Sequence, residues 1–188
     1  MPRPAIAAAR ADSLRYPYTA ADVSFMSGMI HHHAQAIVMA GWAPTHGAAA
    51  TVQTLCKRII NAQNDEIALM QTWLADRNQT VPPATATGMK MMMGGVEQEM
   101  LMPGMLTDEQ MKRLDAARGL EFERLFLTFM IQHHKGAVSM VETLFASPGA
   151  GQDEHVFKFA SAVNVDQTTE IARMQRMLAV ITLEGHSP

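Results

Sequence analysis

The chain predicts an all-α fold, a four-helix bundle made of two similar helical hairpins, and three observations carry that expectation. Apolar residues recur at helical spacing through Met26-Ser27-Gly28-Met29-Ile30-His31-His32-His33-Ala34-Gln35-Ala36-Ile37-Val38-Met39. The arrangement returns 101 positions later as Leu127-Thr128-Phe129-Met130-Ile131-Gln132-His133-His134-Lys135-Gly136-Ala137-Val138-Ser139-Met140. That shift lays Phe25 on Phe126, Met29 on Met130, His32 on His133, His33 on His134, Ala36 on Ala137 and Met39 on Met140, and sets Asp22 opposite Glu123. No credible strand alternation competes. Amphipathic helices in two such hairpins bury their stripes most simply against one another, with pseudo-two-fold symmetry.

Taken in order, residues 1–18 read as a flexible N-terminal segment, with Arg3, Arg10 and Arg15 scattered between Pro4 and Pro17. They lack the continuous apolar run of a signal peptide. Thr19-Ala20-Ala21-Asp22 makes a helix start, a hydroxyl followed three residues on by a carboxylate. The first helix runs to about Gly41, where Pro44 closes it. A second, from about Gly47 to Arg77, sets Leu55, Ile59, Ala62, Glu66, Met70 and Trp73 on one side. Glu66 must then find a partner, because a buried unpaired charge is costly. The first hairpin repeat spans 19–79.

Residues 80–106 read as a linker, punctuated by Pro, Thr, Ala and Gly and rich in methionine at 89, 91, 92, 93, 100, 102 and 105. Thr107-Asp108-Glu109-Gln110 is a capping box that opens a helix to about Ala146, and the second repeat fills 107–182. In the last helix Phe159, Val163, Glu170, Met174 and Met177 form a stripe. Gln167 with Glu170 matches Gln63 with Glu66 at a shift of 104, so the loop around Ser147-Pro148-Gly149-Ala150-Gly151 is longer than its counterpart.

Composition narrows the function. With 188 residues, 48% of them hydrophobic, the chain can bury a proper core. Its 18% charged residues and net charge of -3 exclude an electrostatic footprint for nucleic acid, and no apolar run is long enough to span a membrane. One cysteine, Cys56, excludes an intrachain disulfide framework. The unusual number is 17 methionines, more than a core needs of a flexible gap-filler.

On the first helix Met29 has His32 at i+3 and His33 at i+4, so a thioether and two imidazoles share one turn. Met130, His133 and His134 repeat this. His31 falls on the opposite, wet side, where its counterpart is Gln132. Imidazole binds copper, zinc, nickel and iron, whereas a thioether favours Cu(I) or Ag(I), so the mixed set points to copper. Adjacent histidines diverge by about 100°, so each shares an ion with methionines rather than with its neighbour. Met39 and Met140, two turns beyond His32 and His133, are the candidates.

Blander readings stand beside these. A lone His-His pair is more often a polar pair than a ligand set, and only its duplication among methionines favours metal. Glu66 and Glu170 suit the role of hydrogen-bond partners that orient a histidine better than that of ligands to Cu(I). Asp22 and Glu123 suit a helix N-terminus, and His46 and His155, near inter-helix turns, suit solvated structural roles. The linker methionines fit apolar filler as well as capture of a soft ion.

The pattern Asp-x-x-Phe-Met-x-x-Met-Ile-x-His-His-x-x-Ala-Ile-x-Met-Ala from Asp22, then Gln-x-x-Glu-Ile-x-x-Met from Gln63, then a second copy, resembles the bacterial family labelled Domain of Unknown Function 305 and its copper-binding members. The resemblance runs from Asp22 to Leu178 and includes Met102-Pro103-Gly104-Met105-Leu106; Glu123 and Val141 are mild departures. It implies a ferritin-like topology, a periplasmic or extracellular home, and binding of copper or silver for sequestration, tolerance or transfer. A copper chaperone or efflux component is the partner so implied. A leader removed from the chain would reconcile that home with the sequence; otherwise the protein is cytoplasmic.

The expected function is therefore a non-enzymatic Cu(I) binder, with Ag(I) as its analogue. A ferritin-like oxidoreductase lacks its ligand set, since Glu66 and Glu170 are followed at i+3 by Leu69 and Arg173 where histidine is needed. A structural bundle, with His-Glu networks fixing register, is the third class.

Overall fold

A computed structural model describes residues 18–184; the expected N-terminal segment lies outside these except for Tyr18. Helices run as α1 (Ala20–Gly41), α2 (Ala50–Asp76), α3 (Asp108–Ala116), α4 (Gly119–Ala146) and α5 (Glu154–Glu184), and a hairpin of β1 (Met89–Met93) and β2 (Val96–Met100) interrupts the connection. The regular structure of the described residues is thus helical apart from this one ribbon. α1 packs on α2, α4 packs on α5, and α1 and α4 bring the two pairs together.

The start of α1 is the capping box its sequence predicts: the Asp22 N–H donates to Thr19 Oγ1, and the Asp22 carboxylate accepts from the Thr19 N–H at 2.6 Å. The capping box at Thr107 also forms, with Gln110 as partner. The helix it opens is short, and here the expectation of one helix to Ala146 fails. Ala117 and Arg118 are extended, and the Gly119 N–H donates to the His46 carbonyl at 2.7 Å instead of continuing the ladder. A tertiary bond and the positive φ of Gly119 win over local helical propensity.

The absence of strands is the second corrected expectation. Met89 pairs with Met100 and Met93 with Val96 across Gly94-Gly95, both at positive φ. A two-glycine loop of that conformation matches the twist of a β-ribbon, whatever the flanking residues prefer. Met92 and Val96 stand in solvent, and the side chains of Met91 and Met93 lie outside the description. Ala62 is also corrected: it is exposed, and Gln63 occupies the buried stripe of α2.

Two apolar clusters divide the interior. One takes Phe25 to Ala34 of α1 with Ala137 to Leu144 of α4, and the other takes Ala36 to Ala40 of α1 with Phe122 to Ile131 of α4. The helices therefore run antiparallel, and both histidine pairs fall at the boundary between clusters. Carboxylates lock the halves together. Asp22 accepts from the Gly151 N–H at 2.7 Å, in the loop before α5, and Glu123 accepts from the N–H of Ala49, the N-cap of α2. Each belongs to one hairpin and closes the turn of the other. Asp153 adds a third tie, accepting from Trp73 Nε1 and from Arg77 at 2.6 Å.

Candidate metal centre

The four histidines His32, His33, His133 and His134 are fully buried at the crossing of α1 and α4, flanked by the small Ala36 and Ala137 that let the helices approach. His32 and His133 meet face to face, ring centroids 3.7 Å apart and planes tilted by 37°. His33 and His134 sit outside them at 6.3 and 6.2 Å from their neighbours.

Glutamates hold the outer pair. His33 Nε2 lies 2.7 Å from Glu66 Oε2, and His134 Nε2 lies 2.7 Å from Glu170 Oε2. A carboxylate accepts only, so both rings carry their proton on Nε2 and leave Nδ1 as a lone pair. His32 is fixed otherwise: its Nε2–H donates to the Pro103 carbonyl at 3.0 Å. Burial, then the neighbouring charges of His33 and His134, push its pKa down to about 3, so the ring is neutral and Nδ1 holds a bare lone pair. His133 is likewise held well below its ordinary value by burial and by His32, His134 and His33.

Nδ1 of all four rings is buried without a hydrogen-bond partner, as is Nε2 of His133. Unmet buried polar atoms are rare in folded chains and each demands a reason. Here five imidazole nitrogens on four neighbouring rings are unmet. Among the described residues no three His, Cys, Asp or Glu side chains converge as a metal-holding group. A soft ion of low coordination number would need few nitrogens at once. Cys56 takes no part, since burial pushes its thiol up to about 12.

The sequence-predicted methionines divide between the flanking clusters. Met29 and Met140 share one with Met26 and Met70, and Met130 and Met39 share the other with Met174. Sulfur thus lies on both sides of the histidine layer, and Met39 packs in the same cluster as Met130 of the opposite helix. The role expected for Glu66 and Glu170 is the one their geometry takes.

Two histidines are placed differently from expectation. His31 is 6% exposed, not wet: its Nδ1 lies 3.3 Å from the Thr85 carbonyl and 3.2 Å from Thr85 Oγ1, because the connection folds over that face. His46 is structural but buried, stacked on Trp42 and bonded through Nε2 to Asp115. His155 stands in solvent as expected.

Sequence reasoning missed the Pro103 carbonyl, which no side-chain pattern announces. It also gave no role to Gln63 and Gln167, buried one turn before each glutamate with an unpartnered Oε1. Their repeated Gln-x-x-Glu spacing was the available signal.

A family model described as Domain of unknown function (DUF305) matches residues 22–178. No curated protein matches the chain. Among solved structures, a DUF305 protein of Streptomyces coelicolor, described as a candidate secreted protein, superposes with a TM-score of 0.70 at 28% identity, covering 86% of this chain and 94% of its own. A DUF305 fragment from Deinococcus radiodurans gives 0.69 at 27% identity, covering 87% and 98%. CopM in its Cu(I)-bound form gives 0.62 at 26%, covering 83% and 94%, and is also known with Cu(II), with Ag and in the apo form.

Proposed function

We propose that this chain, which belongs to the DUF305 family, is a non-enzymatic binder of Cu(I), with Ag(I) as a second soft cargo, that sequesters or passes on the metal through its histidine layer and flanking methionines. One observation carries the reading: four buried imidazole nitrogens without partners, three of them aimed by a fixed bond on the far side of the ring. Orienting a ligating imidazole through its second nitrogen is how proteins set its tautomer and basicity. The likeness to CopM, which was solved with Cu(I), Cu(II) and Ag, agrees with the chemistry of the donors. In this reading the four long helices form a bundle of ferritin-like topology acting beyond the cytoplasm, and the protein hands its ion to a chaperone or efflux component.

Competition for Cu(I) against a chromophoric chelator tests it. Wild type retains the ion, and joint replacement of His32, His33, His133 and His134 by Ala in a chain that keeps its helical circular dichroism releases it. Equal retention by both proteins would refute the assignment.

A further inference from the structure

Toward the start of α1 and the end of α4 the two helices leave a groove of about 290 Å³ open to solvent, bounded by Phe25 and Ser24 on one wall, Met140 and Leu144 on the other, and Met102 with Pro103 at its edge. Two thioether side chains converge in it over Gly28. A Cβ added there would lie 2.8 Å from Met102 Sδ and 3.5 Å from Met140 Cε. Glycine inside a helix is less favourable than alanine, so the missing methyl makes room for the sulfur above it.

The other half shows that packing alone does not require this seat. The position matching Gly28 is Phe129, and that matching Met140 is Met39, fully buried in its cluster. One half closes its surface with an aromatic ring; the other leaves space beside two sulfurs. A methionine present as filler would fill that space.

The edge of the groove also touches the histidine layer through Pro103. Met102 is bonded to Pro103, whose carbonyl holds His32 Nε2, and His32 lies one turn beyond Gly28 on α1. Thioethers take soft monovalent ions, and imidazole binds them too, so the half-buried Met102 and the buried histidines suit the same ion.

We propose that Met102 and Met140 form an outer site for a soft monovalent ion, Cu(I) in use and Ag(I) as probe, through which the ion enters the histidine layer. The proposal rests on the reading of that layer as the tight site. It predicts two binding classes, a weak one that loads quickly and a tight one that fills from it.

The test uses the full chain, silver nitrate titrated by calorimetry, and stopped-flow transfer of Cu(I) from its bicinchoninate complex. Met102→Leu keeps the volume and removes a sulfur; Gly28→Ala keeps both sulfurs and lifts Met102 from its seat. Both variants lose the weak Ag(I) class and take up Cu(I) at least tenfold more slowly, while the affinity at equilibrium stays at the wild-type value. The quadruple histidine variant keeps the weak class. Wild-type rate and stoichiometry in Met102→Leu overturn the outer site, as does loss of the tight class in that variant. A wild-type chain with no tight class at all would instead refute the histidine layer, a separate outcome.

Discussion

The two hairpins share one plan but meet the connection between them in different ways. Both set a glutamate 2.7 Å from the outer histidine, and both send a carboxylate to close the opposite turn. The connection breaks the symmetry. At the position where α1 has Gln35, α4 has Gly136. Gln35 grips the connection by its side chain, accepting from the Leu106 N–H at 2.7 Å and donating to the Leu106 carbonyl at 3.0 Å. Gly136 admits it by having none, for any Cβ there would overlap the Pro103 carbonyl. One strip of backbone is therefore pinned between a clasp and a gap, and it binds His32 while giving His133 no such bond. A duplicated scaffold thus supplies equal rings, and a non-repeated segment makes them unequal.

Acid should give the largest effect on this pairing. An unfolded histidine binds its proton below about 6.5, whereas His32 in the fold resists until about 3, and His133 is lowered in the same direction. Folding stability is then complete above 6.5 and is lost as pH falls toward 3, by up to about 1.4 kcal/mol per pH unit for each ring. Urea denaturation of the metal-free protein at pH 7, 5.5 and 4.5 should show this slope. His32→Gln and His133→Gln should each remove about half of it, and a slope unmoved by either would mean that the rings are not held neutral by burial.

Next in size, Gly136→Ala should lower stability by about 3 kcal/mol, the upper end for forcing a methyl into a packed site. Gln35→Ala, which strands two Leu106 backbone groups, should cost about 1–3 kcal/mol. If Gly136→Ala melts at the wild-type temperature, the close crossing of Pro103-Gly104 over α4 is wrong.

Cu(I) affinity probes what the halves have in common. Glu66→Gln and Glu170→Gln should each weaken binding by about 10–100-fold in the chelator assay, the usual penalty for losing a group that orients a ligating histidine. Similar losses support two equivalent braces; loss in only one variant would confine the ion to one half. The smallest effect separates the helix starts. Thr19→Ala should cost about 1 kcal/mol by thermal melting, and Arg118→Ala, at an N-cap with no side-chain bond, much less.

What the sequence made legible was whatever repeats. The histidine pairs, their glutamates and the four long helices all lie on apolar stripes of helical period, and that period is a direct record of burial. What it hid lies in the stretch without a period. Nothing in Thr85 announces that it covers His31, and nothing in Pro103 announces a carbonyl aimed at His32, because both act through backbone placed by distant packing. The break after Ala116 was masked by apolar residues that continue on both sides of it, while the bond deciding it came from His46. Gly94-Gly95 did carry a hairpin signal, overlooked among methionines that have no marked taste for strands.

The exchanged carboxylates reach beyond this molecule. Because Asp22 and Glu123 each complete a turn in the other repeat, neither repeat can be excised and stay whole; alone, each would lose the bond by which its acid closes the opposite turn. A chain with a single repeat recovers those bonds only by clasping a second copy of itself about a two-fold axis. The two hairpins therefore meet, inside one polypeptide, by the self-complementary handshake that a two-fold dimer would use.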